Sequence, residues 1–173
     1  MSNPIVVSEC PGYCGAQDTF YVGNMKGVGR IYQQTFVDTY AKVVFAKLYD
    51  RKTPITAAEI LNDRVLPFFE EQKLPLLRVL TDRGTEYAAT AFKDRLAELG
   101  FTQSMNRPGK VTDNAFIESF FHSMKSEVFH GYRFNEDSEV RSVLEAYLPF
   151  YNADRLHSSL NYVSPATFER QAS

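Results

Sequence analysis

Two acidic residues in different parts of the chain have the types and spacing of a metal-binding pair. Asp82 follows a short apolar run, residues 76–80, that is typical of a strand, and Gly84 permits a sharp turn after it. Glu118 comes 35 intervening residues later, within an amphipathic segment that predicts a helix. Carboxylate oxygens on a strand end and on a facing helix can together bind divalent cations.

A third acid would complete such a site, and the sequence offers two candidates. Asp18 lies within the first predicted strand, and Asp38 ends the second. If these strands are antiparallel, Asp38 lies beside the beginning of the first strand. Asp82 ends a strand that is parallel to the first strand, so it lies at the opposite edge of the sheet from Asp38. We therefore favour Asp18. The alternative explanation of Asp38 is a turn residue that accepts hydrogen bonds from its own hairpin.

Three converging carboxylates fit phosphoryl transfer on a nucleic-acid backbone. That reaction needs an activated oxygen nucleophile, a stabilised leaving oxygen and neutralised negative charge, and two Mg²⁺ ions about 3.5–4 Å apart meet these needs. Mg²⁺ keeps several of its waters, so two or three carboxylates suffice. Because clustered acids repel, at least one of them should have a raised pKa.

Composition limits the possible classes of protein. The chain has 173 residues, of which 44% are hydrophobic and 23% charged, as in a globular protein. This predicts a single domain over residues 1–173, with 1–12 as a lead-in and 153–173 as a tail. No apolar run approaches the roughly 20 residues of a membrane span, and no signal peptide is evident, so we expect a cytoplasmic protein without a membrane partner. Cys10 and Cys14 have too few companion ligands for zinc, and two free thiols are the simpler interpretation.

Periodicity predicts an α/β fold with a mixed sheet. We expect a three-stranded antiparallel meander at 15–22, 30–37 and 42–49, followed by strands at 76–80 and 101–105. A helix should begin at Thr53-Pro54 and be interrupted at Pro67. Thr90 is expected to cap a second helix that stops at Gly100. Two further helices are predicted at 113–130 and 137–152, and the loop 106–112 is expected to be mobile.

Two motifs and the tail carry a resemblance to a known family. The motifs are Asp82-Arg-Gly-Thr-Glu-Tyr and, after the 35-residue spacing, Asp113-Asn-Ala-Phe-Ile-Glu118-Ser-Phe-Phe-His-Ser-Met-Lys125; the tail is Tyr151-Asn-Ala-Asp-Arg-Leu-His-Ser-Ser-Leu160, followed by Ser164-Pro165. Over residues 15–168, the chain resembles the catalytic core of insertion-sequence transposases and retroviral integrases.

The resemblance implies a ribonuclease-H-like fold, a five-stranded mixed sheet flanked by helices. It implies dependence on two Mg²⁺ or Mn²⁺ ions held by Asp18, Asp82 and Glu118, and metal-dependent cleavage and strand transfer of DNA. The partners would be the DNA of element ends and target, in a bacterial, DNA-associated protein. A homo-oligomer is expected, because two element ends must be joined together.

Basic residues near the second motif are candidates for DNA contact, although the formal net charge of −2 argues against binding over the whole surface. Lys125 lies two helical turns beyond Glu118, where the resembling enzymes often carry a basic residue that faces DNA; the alternative is a solvated surface lysine. His122 lies between them and either lines the same groove or is an ordinary exposed histidine. Arg107 and Lys110 precede the helix and either contact DNA or close over the site.

Other functions remain open at this stage. The resembling proteins usually carry a DNA-recognition module ahead of the first acid, and no helix-turn-helix or zinc finger precedes Asp18 here. We therefore expect that module to be separate or missing. One alternative is a ribonuclease-H-like nuclease without strand transfer. Another is a catalytically silent remnant that only binds DNA or dimerises.

Overall fold

The chain folds around a five-stranded sheet with the strand order β3-β2-β1-β4-β5. We describe residues 10–106, 115–131 and 133–172 of a computed structural model. The predicted start of the helix at 113–130, where Thr112 or Asp113 would be the cap, and most of the loop 106–112 lie outside them. The strands are β1 (Gly15–Met25), β2 (Gly29–Asp38), β3 (Val44–Tyr49), β4 (Arg78–Thr81) and β5 (Thr102–Met105).

The sheet is mixed, as predicted. β1, β2 and β3 form an antiparallel meander, while β4 pairs in parallel with both β1 and β5. The first strand is longer than expected: it continues past Val22 to Met25, because a bulge leaves Val22 unpaired and the pairing resumes at Gly23 with Ile31. Consequently the hairpin turn occupies only the residues between Met25 and Gly29.

Seven α-helices are assigned among the described residues. They are α1 (Pro54–Ile60), α2 (Leu66–Glu71), α3 (Thr85–Ala88), α4 (Thr90–Glu98), α5 (Ala115–Met124), α6 (Asp137–Ala153) and α7 (Pro165–Ala172). A π-helical turn, Lys125–Phe129, continues α5, and these two together are called the α5 segment. Along the described residues, no helix is both long and apolar enough to cross a lipid bilayer.

The first helical segment begins and breaks where the sequence predicts. Thr53 caps α1 through a reciprocal capping box with Thr56, and Pro54 occupies the first turn. A π-helical turn, Leu61–Val65, separates α1 from α2, just before Pro67. The Leu66 amide bonds to the Leu61 carbonyl there, and Pro67, which has no amide hydrogen, follows directly.

Two details of the helices differ from expectation. Thr90 does not cap α4: it is the first helical residue, and Ala89 takes the cap position without a side-chain hydrogen bond. The segment 153–173, expected to be a weakly patterned tail, contains a 3₁₀ turn (Ser158–Leu160) and then α7. The Oγ of Ser164 accepts a hydrogen bond from the Thr167 amide, so the Ser-Pro pair is a helix start.

Each face of the sheet is covered by its own hydrophobic core. One core joins the sheet to α5 and α6, and it buries the predicted α5 stripe of Ile117, Phe120, Phe121, Met124 and Val128. The other joins the opposite face to α1, α2, α3 and α4, with Phe36 and Tyr87 among its largest members. The helices are thereby fixed at both faces of β1 and β4, the central pair of strands.

Candidate active site

Asp18 and Asp82 lie side by side on neighbouring parallel strands. β1 and β4 are paired through Gln17 and Thr81, and each aspartate is the next residue along its strand. Adjacent strands are about 4.8 Å apart, so this register brings the two carboxylates close together. Asp82 Oδ1 accepts the Gly84 amide at 2.8 Å, and Asp18 Oδ1 accepts the Thr19 amide at 2.8 Å. These backbone bonds fix where the acids point.

The crowding of these acids affects the protonation of Asp18. The pKa of Asp18 is raised to about 7. Burial is the largest cause, the Asp82 charge is the second, and the Glu86 charge adds a smaller contribution. The Thr19 amide and the Lys52 ammonium act in the opposite direction. Asp18 thus has the raised pKa expected of one of the acids, with burial rather than charge repulsion as the largest cause. A carboxylate held in this state gains from a nearby cation.

Asp38 has the turn role that was its alternative explanation. It is fully buried and pairs with Gly15 at the beginning of β1, three residues before Asp18. Its carboxylate accepts hydrogen bonds from the backbone amides of Gly12 at 3.2 Å and Ala41 at 3.1 Å. Burial raises the pKa of Asp38 to about 6. Asp38 therefore closes the β2–β3 connection.

Glu118 lies in the first turn of α5, the helix that packs across β1 and β2. Its side chain is exposed, and it makes no hydrogen bond or ion pair with another described residue. Among the described residues, no three acidic, histidine or cysteine side chains converge as a ready-made metal site. The structure thus brings Asp18 and Asp82 together and leaves the Glu118 carboxylate apart from them.

The predicted DNA-contacting residues fall into two groups. Lys125 and His122 are exposed on the α5 segment, and the Lys125 Nζ lies 5.2 Å from the centroid of the Phe20 ring. Phe20 is two residues beyond Asp18, so the two share one face of β1, and Lys125 is on the same side of the sheet as the Asp18 carboxylate. Arg107 and Lys110 lie outside the described residues.

Sequence reasoning missed a further acid at this site, Glu86. It belongs to α3, the short helix after Gly84, and is only 2% exposed. Its Oε1 accepts the Thr19 hydroxyl at 3.0 Å and lies 3.6 Å from Lys52 Nζ, while its Oε2 has no hydrogen-bond partner among the described residues. Its position inside the Asp82 motif was the one available signal for a role at this site. The sequence alone does not distinguish Glu86 from a solvated loop residue.

A buried polar network supports the acids from below. The Thr19 hydroxyl also accepts a hydrogen bond from Gln34 Nε2 at 2.7 Å, and Tyr87 Oη donates to Gln34 Oε1 at 2.9 Å. Gln17 reaches from β1 to the Ala57 carbonyl at 2.6 Å. These bonds link β1, β2, α1 and α3 directly beneath the acids, and a network of this kind limits the movement of its members.

Two basic residues that adjoin the motifs have structural contacts. Arg83 Nε donates to the Asn106 carbonyl at 3.0 Å and so ties the β4 end to the β5 end. Arg155 forms an ion pair with Glu127 at 2.6 Å and lies over the Tyr151 ring. The segment that follows α6 is thereby held against the α5 segment, away from the acids.

The donors at the β4 end suit a hard divalent cation. Every candidate ligand is a carboxylate oxygen, the type that Mg²⁺ and Mn²⁺ prefer. The raised pKa of Asp18 and the unpartnered Oε2 of Glu86 both indicate more negative charge than the protein itself balances. The residues therefore fit a divalent cation.

Comparison with known families finds two models that together match most of the chain. A family model described as "Integrase core domain" matches residues 8–111, and a second model of the same description matches residues 99–165. The first covers more than half of the chain, including β1 to β5 with Asp18 and Asp82, and the second includes Glu118. The chain belongs to the integrase core domain family.

Individual relatives and one solved structure are consistent with that membership. The chain is 35% identical over 102 residues to the transposase of insertion sequence element IS904 from Lactococcus lactis, covering 58% of this chain and 40% of the relative. It is 31% identical over 172 residues to the 31 kDa protein of insertion element IS600 from Shigella sonnei, covering 98% and 61%.

A structure of the HTLV-2 integrase catalytic core domain in complex with magnesium has a TM-score of 0.59 at 14% identity, covering 92% of this chain and 96% of that one. This likeness confirms the ribonuclease-H-like fold. The chain spans about half the length of the curated relatives it matches.

Proposed function

We propose that the chain is the catalytic core of a DNA transposase, a polynucleotidyl transferase that cleaves DNA and joins its 3′ end to a target. The observation that carries the proposal is the pair Asp18 and Asp82, held side by side at the carboxyl end of β4 by the β1–β4 register. Membership of the integrase core domain family and similarity to insertion-sequence transposases support it.

The acids would hold two divalent cations, Mg²⁺ or Mn²⁺. Bound cations would supply charge neutralisation at the scissile phosphate and an activated oxygen nucleophile. Asp18 and Asp82 would be shared ligands, since the register fixes their separation. The magnesium in the HTLV-2 integrase core is consistent with this choice of cation.

Glu118 would complete the site from the helix side. It stands in the first turn of α5, whose buried stripe fixes the helix backbone against the sheet. Because its side chain has no hydrogen bond or ion pair with another described residue, a change of rotamer costs little. We expect it to approach Asp18 and Asp82 when cations neutralise their charge.

DNA is the proposed substrate, with Lys125 and His122 as contacts to its backbone on the Asp18 side of the sheet. Arg107 and Lys110 remain proposed contacts in the segment before α5. Joining two DNA ends requires at least two active sites, so we also propose self-association; the HTLV-2 core is described as a dimeric form.

A branched-DNA assay tests the chemistry without requiring end recognition. The substrate is a strand-transfer product, and its resolution is the same reaction in reverse, with one 3′-hydroxyl attacking one phosphodiester. We expect the chain to resolve it with Mn²⁺. The variants Asp18→Asn, Asp82→Asn and Glu118→Gln should each lose at least about 100-fold in rate, whereas the matched control Asp94→Asn on α4 keeps wild-type activity.

The products separate the possible functions. Ligated strands indicate a transferase, while cleavage without joining, or cleavage of RNA–DNA hybrids, would indicate a ribonuclease-H-like nuclease instead. Retained activity in all three acid variants would refute the catalytic assignment. DNA binding without any metal-dependent product would favour a catalytically silent remnant.

A further inference from the structure

Glu86 is a buried carboxylate that the fold itself does not explain. It is 2% exposed, in the first turn of α3, and its Oε2 has no hydrogen-bond partner among the described residues. A Cβ placed on Gly84 would lie 2.9 Å from both Glu86 Oε2 and Asp82 Oδ1, so these two oxygens border the same small space beside Gly84. The unpartnered oxygen therefore lies close to one of the predicted metal ligands.

The partners that Glu86 does have are weak compensation for a buried charge. Removing a carboxylate from water costs several kcal/mol unless it is well paired. Lys52 lies 3.6 Å away with a side chain that is 41% exposed, a geometry that contributes little. The Thr19 hydroxyl supplies one neutral hydrogen bond. The nearest other charges, Asp18 and Asp82, repel it.

A neutral amide would satisfy the packing equally well. Glutamine has the same length and could accept the Thr19 hydroxyl through its own Oε1. The neighbouring Tyr87, fully buried, supplies the apolar contact of α3 with the core. The contacts of position 86 therefore do not by themselves require a negative charge, and a cation beside it would supply the missing partner.

We infer that Glu86 is a fourth acidic residue of the metal centre and contributes to holding a divalent cation together with Asp82. This rests on the proposed function, because it presumes that Asp18 and Asp82 bind the cation. The rival explanation is structural: Glu86 would only anchor Thr19, and through it β1, to α3. Our inference predicts that removing the charge of Glu86 stabilises the metal-free protein, whereas the structural explanation predicts that it destabilises it. Only our inference predicts that the removal weakens metal affinity.

The test compares Glu86→Gln with a matched control, Glu145→Gln, an exposed glutamate on α6. Mn²⁺ binding to the full chain is measured by calorimetry, and thermal unfolding is followed with and without Mn²⁺. We expect E86Q to bind Mn²⁺ about 10- to 100-fold more weakly, the usual loss when an acidic partner of a metal centre is removed. Its metal-free melting temperature should rise, since a repulsive charge is gone, and E145Q should match the wild type in both measurements.

Each outcome has one meaning. Wild-type Mn²⁺ affinity in E86Q, beside weakened binding in Asp82→Asn, would overturn this inference and leave the proposed function intact. No saturable Mn²⁺ binding by the wild-type chain would overturn both. A lower metal-free melting temperature for E86Q with unchanged affinity would establish the structural role. If E86Q does not fold, Glu86→Asp carries the test: the shorter side chain keeps the charge but cannot bring it as close to the cation, so Mn²⁺ binding should weaken, and unchanged affinity would overturn the inference.

Discussion

Replacing Asp18 by asparagine should stabilise the metal-free protein at neutral pH, although Asp18 is proposed to be catalytic. Asparagine has nearly the shape of the protonated acid and carries no charge. In the native state, burial and the Asp82 charge raise the pKa of Asp18 from 3.8 to about 7. The native protein therefore keeps a proton between pH 4 and pH 7 that the unfolded chain releases. The free energy of unfolding must fall as pH rises through that window.

The shift sets the size of the effect. The rise in the Asp18 pKa from 3.8 to about 7 corresponds to a change of at most about 4 kcal/mol in the free energy of unfolding, at roughly 1.4 kcal/mol for each pKa unit. Asp18 is only partly buried and the surrounding groups can relax, so we expect about 2 kcal/mol above pH 7, about a quarter of that at pH 4.5 and almost nothing at pH 3. In a chain of this length, that corresponds to a rise in melting temperature of about 4–8 °C.

Urea unfolding in EDTA at several pH values measures this difference. Circular dichroism is the suitable probe, because the chain has no tryptophan. Asp94→Asn, an exposed substitution on α4, controls for a generic loss of negative charge. Saturating Mn²⁺ should reverse the order, because the wild type would gain stability from binding and Asp18→Asn would not. An Asp18→Asn variant no more stable than the wild type at pH 8 would refute the account of crowded acids.

Three further predictions follow from other contacts. Gly84→Ala places a Cβ 2.9 Å from two carboxylate oxygens and should weaken Mn²⁺ binding at least about 10-fold without unfolding the chain; wild-type calorimetry would contradict this. Lys125→Ala should weaken DNA binding uniformly and lower the salt slope by about one, whereas Lys93→Ala on α4 should not; equal slopes would remove Lys125 from the DNA interface. Burial and the Asp38 charge raise the pKa of Glu169 to about 7, so Glu169→Gln should raise the free energy of unfolding above pH 7 and not at pH 4.5; a pH-independent effect would contradict it.

The sequence predicts the central strands and the acid pair because their causes are local. The apolar run before Asp82 and the β-prone segment around Asp18 each specify a strand, and a short meander leaves one edge of the first strand free to pair with β4. Asp38 was separable from Asp18 on topology alone, since antiparallel pairing moves it three residues away. The stripe on α5 likewise follows from periodicity, and it fixes which turn of the helix carries Glu118.

Other features depend on contacts that no local pattern reveals. Glu86 is buried only because the chain turns into α3 after Gly84 and brings it under Thr19. The direction of the Glu118 side chain depends on its rotamer, and the sequence does not specify which rotamer an exposed glutamate adopts. α7 had a usable signal in Ser164-Pro165, but its apolar stripe is too short to stand out from a loop.

The core between the sheet and α5/α6 draws its members from both ends of the chain. Asn152, near the end of α6, donates to the Val44 carbonyl and accepts the Val44 amide, both at 2.8 Å, as a neighbouring strand would. A chain divided between β5 and α5 would therefore yield two fragments, and each would expose its part of this hydrophobic core. We expect such fragments to be unfolded separately and to regain structure on mixing.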